Sequence, residues 1–185
     1  MRTFVFNNIP KNMKTLAFAA SSSRASLNKQ LVAHALDRIE SDEKQLLDLN
    51  DFPLPLYSID LEKENGIPAH VIKFAEHIES ADLILISFAE HNGSYTAVFK
   101  NLLDWLSRNK SKCFENKKMI LLSTSPGPRG GRGVMDAALD RFPRHGADIL
   151  GHFCLPNFNE NFDAAQGIVH SELNEAFLET LNTKA

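Results

Sequence analysis

Three polar stretches, each following an apolar run, hold the residue types that could do chemistry. The first is ASSSRASLN at 20–28, where Ser21, Ser22, Ser23, Arg24, Ser26 and Asn28 crowd the start of a helix-period segment. The free N–H groups and dipole of a helix start attract an anion. Hydroxyls and an amide can donate to phosphate oxygens, and Arg24 can add a charge-assisted bond. A plainer reading competes: Ser26 caps the helix and the rest is solvated turn. Neither G-x-G-x-x-G nor G-x-x-x-x-G-K-[ST] occurs, which excludes the dinucleotide and nucleoside triphosphate loops built on those patterns.

The second stretch, AEHNGSYTAVFKNLLDW, follows the apolar run DLILIS at 82–87 and opens on Glu90, His91, Asn92 and Gly93. Gly93 lets the backbone turn or approach a ligand closely, offering N–H and C=O groups to the rim of a planar heterocycle while an aromatic covers its face. A plain turn with Ser94 or Thr96 capping the next helix is the alternative. The third stretch, TSPGPRGGRG at 124–133, puts four glycines and two prolines into ten residues. That composition suits backbone approach and fixed shape; Pro126 and Pro128 argue against a merely flexible turn. A hydroxyl-rich loop without a lysine or a metal-binding carboxylate fits a terminal monophosphate better than a Mg-bound triphosphate, and flavin mononucleotide (FMN) carries one.

These stretches need a scaffold, and the alternation of short apolar runs with helix-period segments supplies one. TLAFAA (15–20), QLLDLN (45–50), DLILIS (82–87), KMILLST (118–124) and ADILGHFCLP (147–156) read as strands. Leu27, Leu31, Ala35 and Ile39 put a stripe on a first helix; further helices are expected over 66–80 with Pro68 in the first turn, 97–108, from about 130 to Pro143 and Gly146, and 171–182 with Ser171 as N-cap. Pro53 and Pro55 hold DFPLPLY as an extended loop. The sum is an α/β, flavodoxin-like three-layer sandwich with a five-stranded parallel sheet of order 2-1-3-4-5. In such sheets ligands bind beyond the carboxyl ends of the strands, where strand order reverses, and all three stretches lie there.

Composition sets the bounds. The chain has 185 residues, 43% hydrophobic and 23% charged, consistent with one domain over 14–185 behind an N-terminal extension at 1–13. Twenty Lys and Arg against 23 Asp and Glu give −3, which argues against broad nucleic-acid binding. No apolar run reaches the roughly 20 residues of a membrane span and the N-terminus lacks a signal-peptide pattern, so a cytoplasmic location is expected. Cys113 and Cys154 stand alone, without a C-x-x-C pair, and read as reduced thiols rather than metal ligands.

ASSSRASLNKQL, LNDFPLPLY, AEHNGSYTAVFKNLLDWLSR and LLSTSPGPRGG together resemble the successive motifs of the NAD(P)H-dependent FMN reductase family, the flavodoxin-like group that includes chromate, quinone and azo reductases. The family's P-E-Y-N-G-S-Y and K-N-x-x-D-W patterns are matched at Glu90, Asn92, Gly93, Ser94, Tyr95, Lys100, Asn101, Asp104 and Trp105. Ala20 stands where the family carries a glycine, Ala89 for its proline and His91 for its tyrosine, and Arg24 sits one place nearer Asn28 than usual.

The resemblance implies a homodimer or homotetramer holding FMN noncovalently, with NAD(P)H as co-substrate and a small-molecule electron acceptor. Ser21, Ser22, Ser26 and Asn28, with Arg24, would hold the phosphate. Glu90, His91, Asn92 and Gly93 would line the isoalloxazine; Ser125, Pro126, Gly127, Gly130 and Gly131 would close its other edge. Tyr95 is expected to support these residues or face a neighbouring subunit. No protein nucleophile is required, since hydride chemistry belongs to the cofactor. Arg129 and Arg132 could attract the 2′-phosphate of NADPH, or be plain surface arginines. The alternatives are an FMN electron carrier that oxidises NAD(P)H negligibly and a chain that has lost its flavin. A receiver domain lacks its acids in AASSS, and NGSYT is not the G-x-S-x-G of a hydrolase.

Overall fold

The computed structural model describes residues 13–182. The expected extension at 1–13 therefore lies outside the described residues, apart from Met13, which is buried. The described chain forms nine strands and seven α-helices. The strands are β1 (Lys14–Ala20), β2 (Glu43–Leu47), β3 (Leu83–Phe88), β4 (Glu90–His91), β5 (Ser94–Tyr95), β6 (Lys118–Thr124), β7 (Asp148–Leu155), β8 (Phe162–Asp163) and β9 (Gly167–Ile168). The helices are α1 (Leu27–Arg38), α2 (Ile59–Asn65), α3 (Ala69–Ser80), α4 (Ala97–Asn109), α5 (Arg132–Arg141), α6 (Phe158–Asn161) and α7 (Ser171–Leu181), with 3-10 turns at Leu49–Asp51 and Phe142–His145. None of the described helices is long and apolar enough to cross a membrane.

The main sheet has the order β2-β1-β3-β6-β7 with every pairing parallel, which is the 2-1-3-4-5 order expected for its five strands. Strands covered on both faces should be apolar throughout, and β3 is buried at every position. Period two then sorts its side chains. Leu16 and Phe18 of β1, Ile84, Ile86 and Phe88 of β3, and Met119 and Leu121 of β6 join the core beneath α3, α4 and α5. Ala17, Ala19, Leu83, Leu85, Ile120 and Leu122 join the core beneath α1 and α7. The first core is aromatic: Phe18 meets Phe74 edge-on at 5.2 Å, and Phe114 stacks on Phe142 at 5.0 Å. Each such ring, fully buried, contributes about 1.5–3 kcal/mol.

The structure departs from the sequence reading at six places. The second strand ends at Leu47 rather than Asn50, because Asp48 accepts the Asn50 N–H and turns the chain into a 3-10 helix. Pro68 is the N-cap of α3 rather than a first-turn residue, and His170, not Ser171, is the N-cap of α7. Helix α2, bounded by Ser58 and Gly66, was not expected; it buries none of its residues and so carries no apolar stripe. The two small hairpins, β4–β5 and β8–β9, were also missed. The extended loop expected around Pro53 and Pro55 is present, with Pro55 accepting from Asn101 Nδ2 and Trp105 Nε1 through its carbonyl.

Candidate functional site

Register sets the site. Ala20 pairs with Phe88, Phe88 with Ser123, and Thr124 with Leu155, so the carboxyl ends of β1, β3, β6 and β7 stop level. The loops 21–26, 89–96 and 125–131 emerge side by side from that edge. β1 lies between β2 and β3, where strand order reverses.

In the first loop Ser21 is buried and accepts the Ser23 N–H at 3.2 Å, which folds the serines into a tight turn. Ser26 is the N-cap of α1, its Oγ accepting the Lys29 N–H. Ser22, Ser23 and Arg24 are exposed, and Arg24 makes no hydrogen bond or ion pair with the described residues. The first turn of α1 has no acidic residue to oppose an anion.

Asn28 faces inward, 3% exposed. Its Oδ1 accepts from Ser87 Oγ at 2.7 Å and from the Thr124 N–H at 3.0 Å, while Nδ2 donates to the Thr124 carbonyl at 3.0 Å. One side chain thereby fastens the start of α1 to the ends of β3 and β6. Thr96 plays a matching part on the other face: its Oγ1 caps α4 by accepting the Phe99 N–H and donates to the Ala20 carbonyl. Thr96, not Ser94, is thus the cap of the two offered by the sequence; Ser87 and Thr124 were not singled out there, and the polar residues closing otherwise apolar strands were the available signal.

In the second loop β4 and β5 pair Glu90 with Tyr95 and His91 with Ser94. Asn92 and Gly93 both have positive φ, 52° and 74°, as a two-residue type I′ hairpin turn requires. His91, Asn92 and Gly93 are exposed at the tip. Tyr95 packs on Phe88 and Phe99 at 5.8 and 5.4 Å, and burial pushes its phenol up to about 12. Its hydroxyl is buried without a hydrogen-bond partner among the described residues.

The third loop is braced from behind. Gly127 O accepts from the Asn157 N–H and Ser125 O from the Phe158 N–H, Ser123 Oγ donates to Gly130 O, and Thr124 Oγ1 donates to Leu155 O. Gly130 and Gly131 are buried, Pro126 is exposed, and Ser125 and Gly127 are half-buried. Arg132 is engaged with Asp136 at 2.8 Å, whereas Arg129 makes no side-chain bond with the described residues. Beside the end of β2, a cleft of about 240 Å³ opens between the 49–54 segment and α4, lined by Leu49, Phe52, Leu54, Val98 and Asn101 among others. Lys29 holds Asp48 at the mouth of that segment and keeps its carboxyl below the usual range.

Sheet order, layering and the level loops define a flavodoxin-like α/β protein. Its fold is that of FerB, a flavoenzyme NAD(P)H:(acceptor) oxidoreductase from Paracoccus denitrificans, with a TM-score of 0.71 at 22% identity over 92% of this chain and 96% of that one. The model of the NADPH-dependent FMN reductase family matches residues 13–166. The chain belongs to that family. It is 33% identical over 127 residues to a probable NADPH:quinone oxidoreductase 2 of Oryza sativa subsp. japonica, covering 68% of this chain and 62% of that protein. It is 31% identical over 125 residues to a quinone reductase of Escherichia coli K12, covering 65% of this chain and 64% of that protein. The matched region thus spans less than two thirds of either relative's own length.

Proposed function

We propose that the chain is an NAD(P)H-dependent FMN oxidoreductase that passes electrons to a small acceptor of the quinone type. The observation that carries this reading is the donor set at the start of α1: exposed Ser22 and Ser23 hydroxyls, an unengaged Arg24 guanidinium and helix N–H groups, with no acid in the first turn. That set fits a phosphate dianion. The next two loops leave room for a ring, since a Cβ on Gly93 would meet nothing within 4 Å and one on Gly127 only Ser125 Oγ at 3.9 Å.

In this reading Ser21 and Ser26 shape the phosphate loop through their turn and cap, Ser22 and Arg24 contact the phosphate, and Asn28 holds the helix start in place. Glu90, His91, Asn92 and Gly93 form one wall of the ring site, and Ser125, Pro126, Gly127, Gly130 and Gly131 the other. Bound between these walls, FMN would supply the hydride and electron-transfer chemistry. The chain's task is to bind and orient the two rings and to set fixed N–H dipoles against developing negative charge. Arg129, unpaired among the described residues where Arg132 is held by Asp136, is the better candidate for the 2′-phosphate of NADPH.

The same proposal includes a cytoplasmic homodimer. Leu56, 80% exposed, rides on a backbone pinned by Asn101 and Trp105, next to the apolar cleft at 49–54. A knob and a hole on one face suit a two-fold, self-complementary contact. Trp105 itself packs within the subunit, against Tyr57.

Absorbance and turnover test the reading. Purified protein should show flavin bands, lose them on stripping and regain them with FMN, and the loaded protein should oxidise NAD(P)H when a quinone is supplied. Flavin uptake with negligible NAD(P)H oxidation would instead identify an electron carrier. Failure to take up FMN would refute the cofactor assignment.

A further inference from the structure

Helix α5 starts without a cap of its own. Its N-cap is Gly131, which has no side chain, and its first turn contains no acidic residue. A helix start leaves N–H groups without intrahelical partners and carries partial positive charge, so both needs must be met from elsewhere. They are met by Glu90: its Oε2 accepts the Val134 N–H at 2.8 Å, across a sequence separation of 44. The helix is shaped to admit this carboxylate. A Cβ on Gly133 would stand 2.8 Å from Glu90 Oε2 and 3.2 Å from the Gly93 carbonyl oxygen.

Glu90 also opens the β4–β5 hairpin, opposite Tyr95, whose ring rests on Phe88 and Phe99. The base of the hairpin is therefore anchored in the core. From that base one carboxylate reaches sideways to the first turn of α5, the helix that follows the glycine-rich loop, and the Gly93 carbonyl at the tip lies over Gly133 of the same turn. We propose that Glu90 is a positioning residue: by capping α5 from the hairpin, it locks the Asn92–Gly93 tip against the 125–131 loop, so that the two walls of the ring site move as one body. The inference rests on the FMN reading above. In this role the carboxylate acts through the loop backbones, and Gly133 is the other half of the device because only a residue without a side chain lets the carboxylate reach Val134.

The test uses Glu90→Ala, Glu90→Gln, Gly133→Ala and the Glu90→Ala, Gly133→Ala double variant. FMN dissociation constants come from fluorescence titration, and the Tm of each stripped protein is read alongside. A hydrogen bond to a charged group is at stake, so Glu90→Ala should weaken FMN about tenfold or more. Glu90→Gln, which keeps an acceptor for the Val134 N–H, should stay within about threefold of wild type, on the same principle. Gly133→Ala should weaken FMN in the wild-type background and far less once Glu90 is alanine. FMN affinity unchanged in Glu90→Ala, or an equal effect of Gly133→Ala in both backgrounds, would overturn the proposal. So would Glu90→Gln losing as much affinity as Glu90→Ala while affinity merely follows Tm. Wild-type protein that fails to bind FMN would overturn the cofactor reading itself, a result distinct from normal binding by both wild type and Glu90→Ala.

Discussion

Replacing Asn28 by alanine removes three hydrogen bonds that no other group can make. Ser87 Oγ, the Thr124 N–H and the Thr124 carbonyl all lose their partner, in a place where Ser87 is 0% and Thr124 1% exposed. The serine hydroxyl can rotate to another acceptor, so its loss is minor. The two backbone groups cannot, and each buried, unmet group costs about 1–3 kcal/mol. Partial hydration of the vacated volume offsets some of this, leaving a destabilisation of about 3–4 kcal/mol. For a chain of this size each kcal/mol shifts Tm by about 2–4 °C, so Tm should fall by about 6–16 °C in a circular-dichroism melt. Asn28→Asp keeps an acceptor for Ser87 and Thr124 but sets an oxygen against the Thr124 carbonyl. A proton on that oxygen restores the bond, so this variant should be more stable at pH 5 than at pH 8 relative to wild type. An Asn28→Ala melt within about 3 °C of wild type, roughly 1 kcal/mol on the same scale, would refute the account of Asn28 as the tie between α1 and the sheet.

Two further expectations follow from other parts of the molecule. His34 is stacked on Phe177 and edge-on to Phe162, its Nε2 is buried without a partner among the described residues, and burial followed by the Arg38 charge brings its pKa down to about 4. The unfolded chain then binds the proton more readily, so the stability linked to this group is complete above pH 6.5 and is lost as pH falls through about 4. Denaturant melts of His34→Phe between pH 6.5 and 4 should show a shallower decline than wild type; an identical decline would exclude His34 as the source. Leu56→Glu should leave Tm nearly unchanged, since the side chain is 80% exposed, while shifting the protein toward monomer in light scattering. A dimer unaffected by this change would move the interface elsewhere.

The central strands, buried on both sides, showed most plainly in the sequence. DLILIS and KMILLST are runs with no alternative use, and βα alternation then limits strand order to few choices. Helix α2 did not show, because only Leu61 packs on the core, and that only partly, which leaves no periodicity to detect. The β4–β5 hairpin did leave a signal: Asn92-Gly93 is a preferred dipeptide for its turn, but its strands are only two residues each. Asn28 marks a harder limit. An amide at a helix start looks the same whether it faces a phosphate or a strand end, and its partner Thr124 lies 96 residues away. Glu90 and Val134 are joined over a gap of 44 residues, which again only the finished sheet closes.

The loop at 125–131 has the composition of a flexible hinge, yet its carbonyls at Ser125, Gly127 and Gly130 are all occupied by donors from the chain around it. Its shape is therefore fixed before any ligand arrives. Ordering a free loop of this length would cost about 1–2 kcal/mol per residue in backbone entropy, and that cost is met during folding instead. Association at this wall should consequently behave as a rigid-body encounter, with a single kinetic phase and little change in amide hydrogen exchange across the loop.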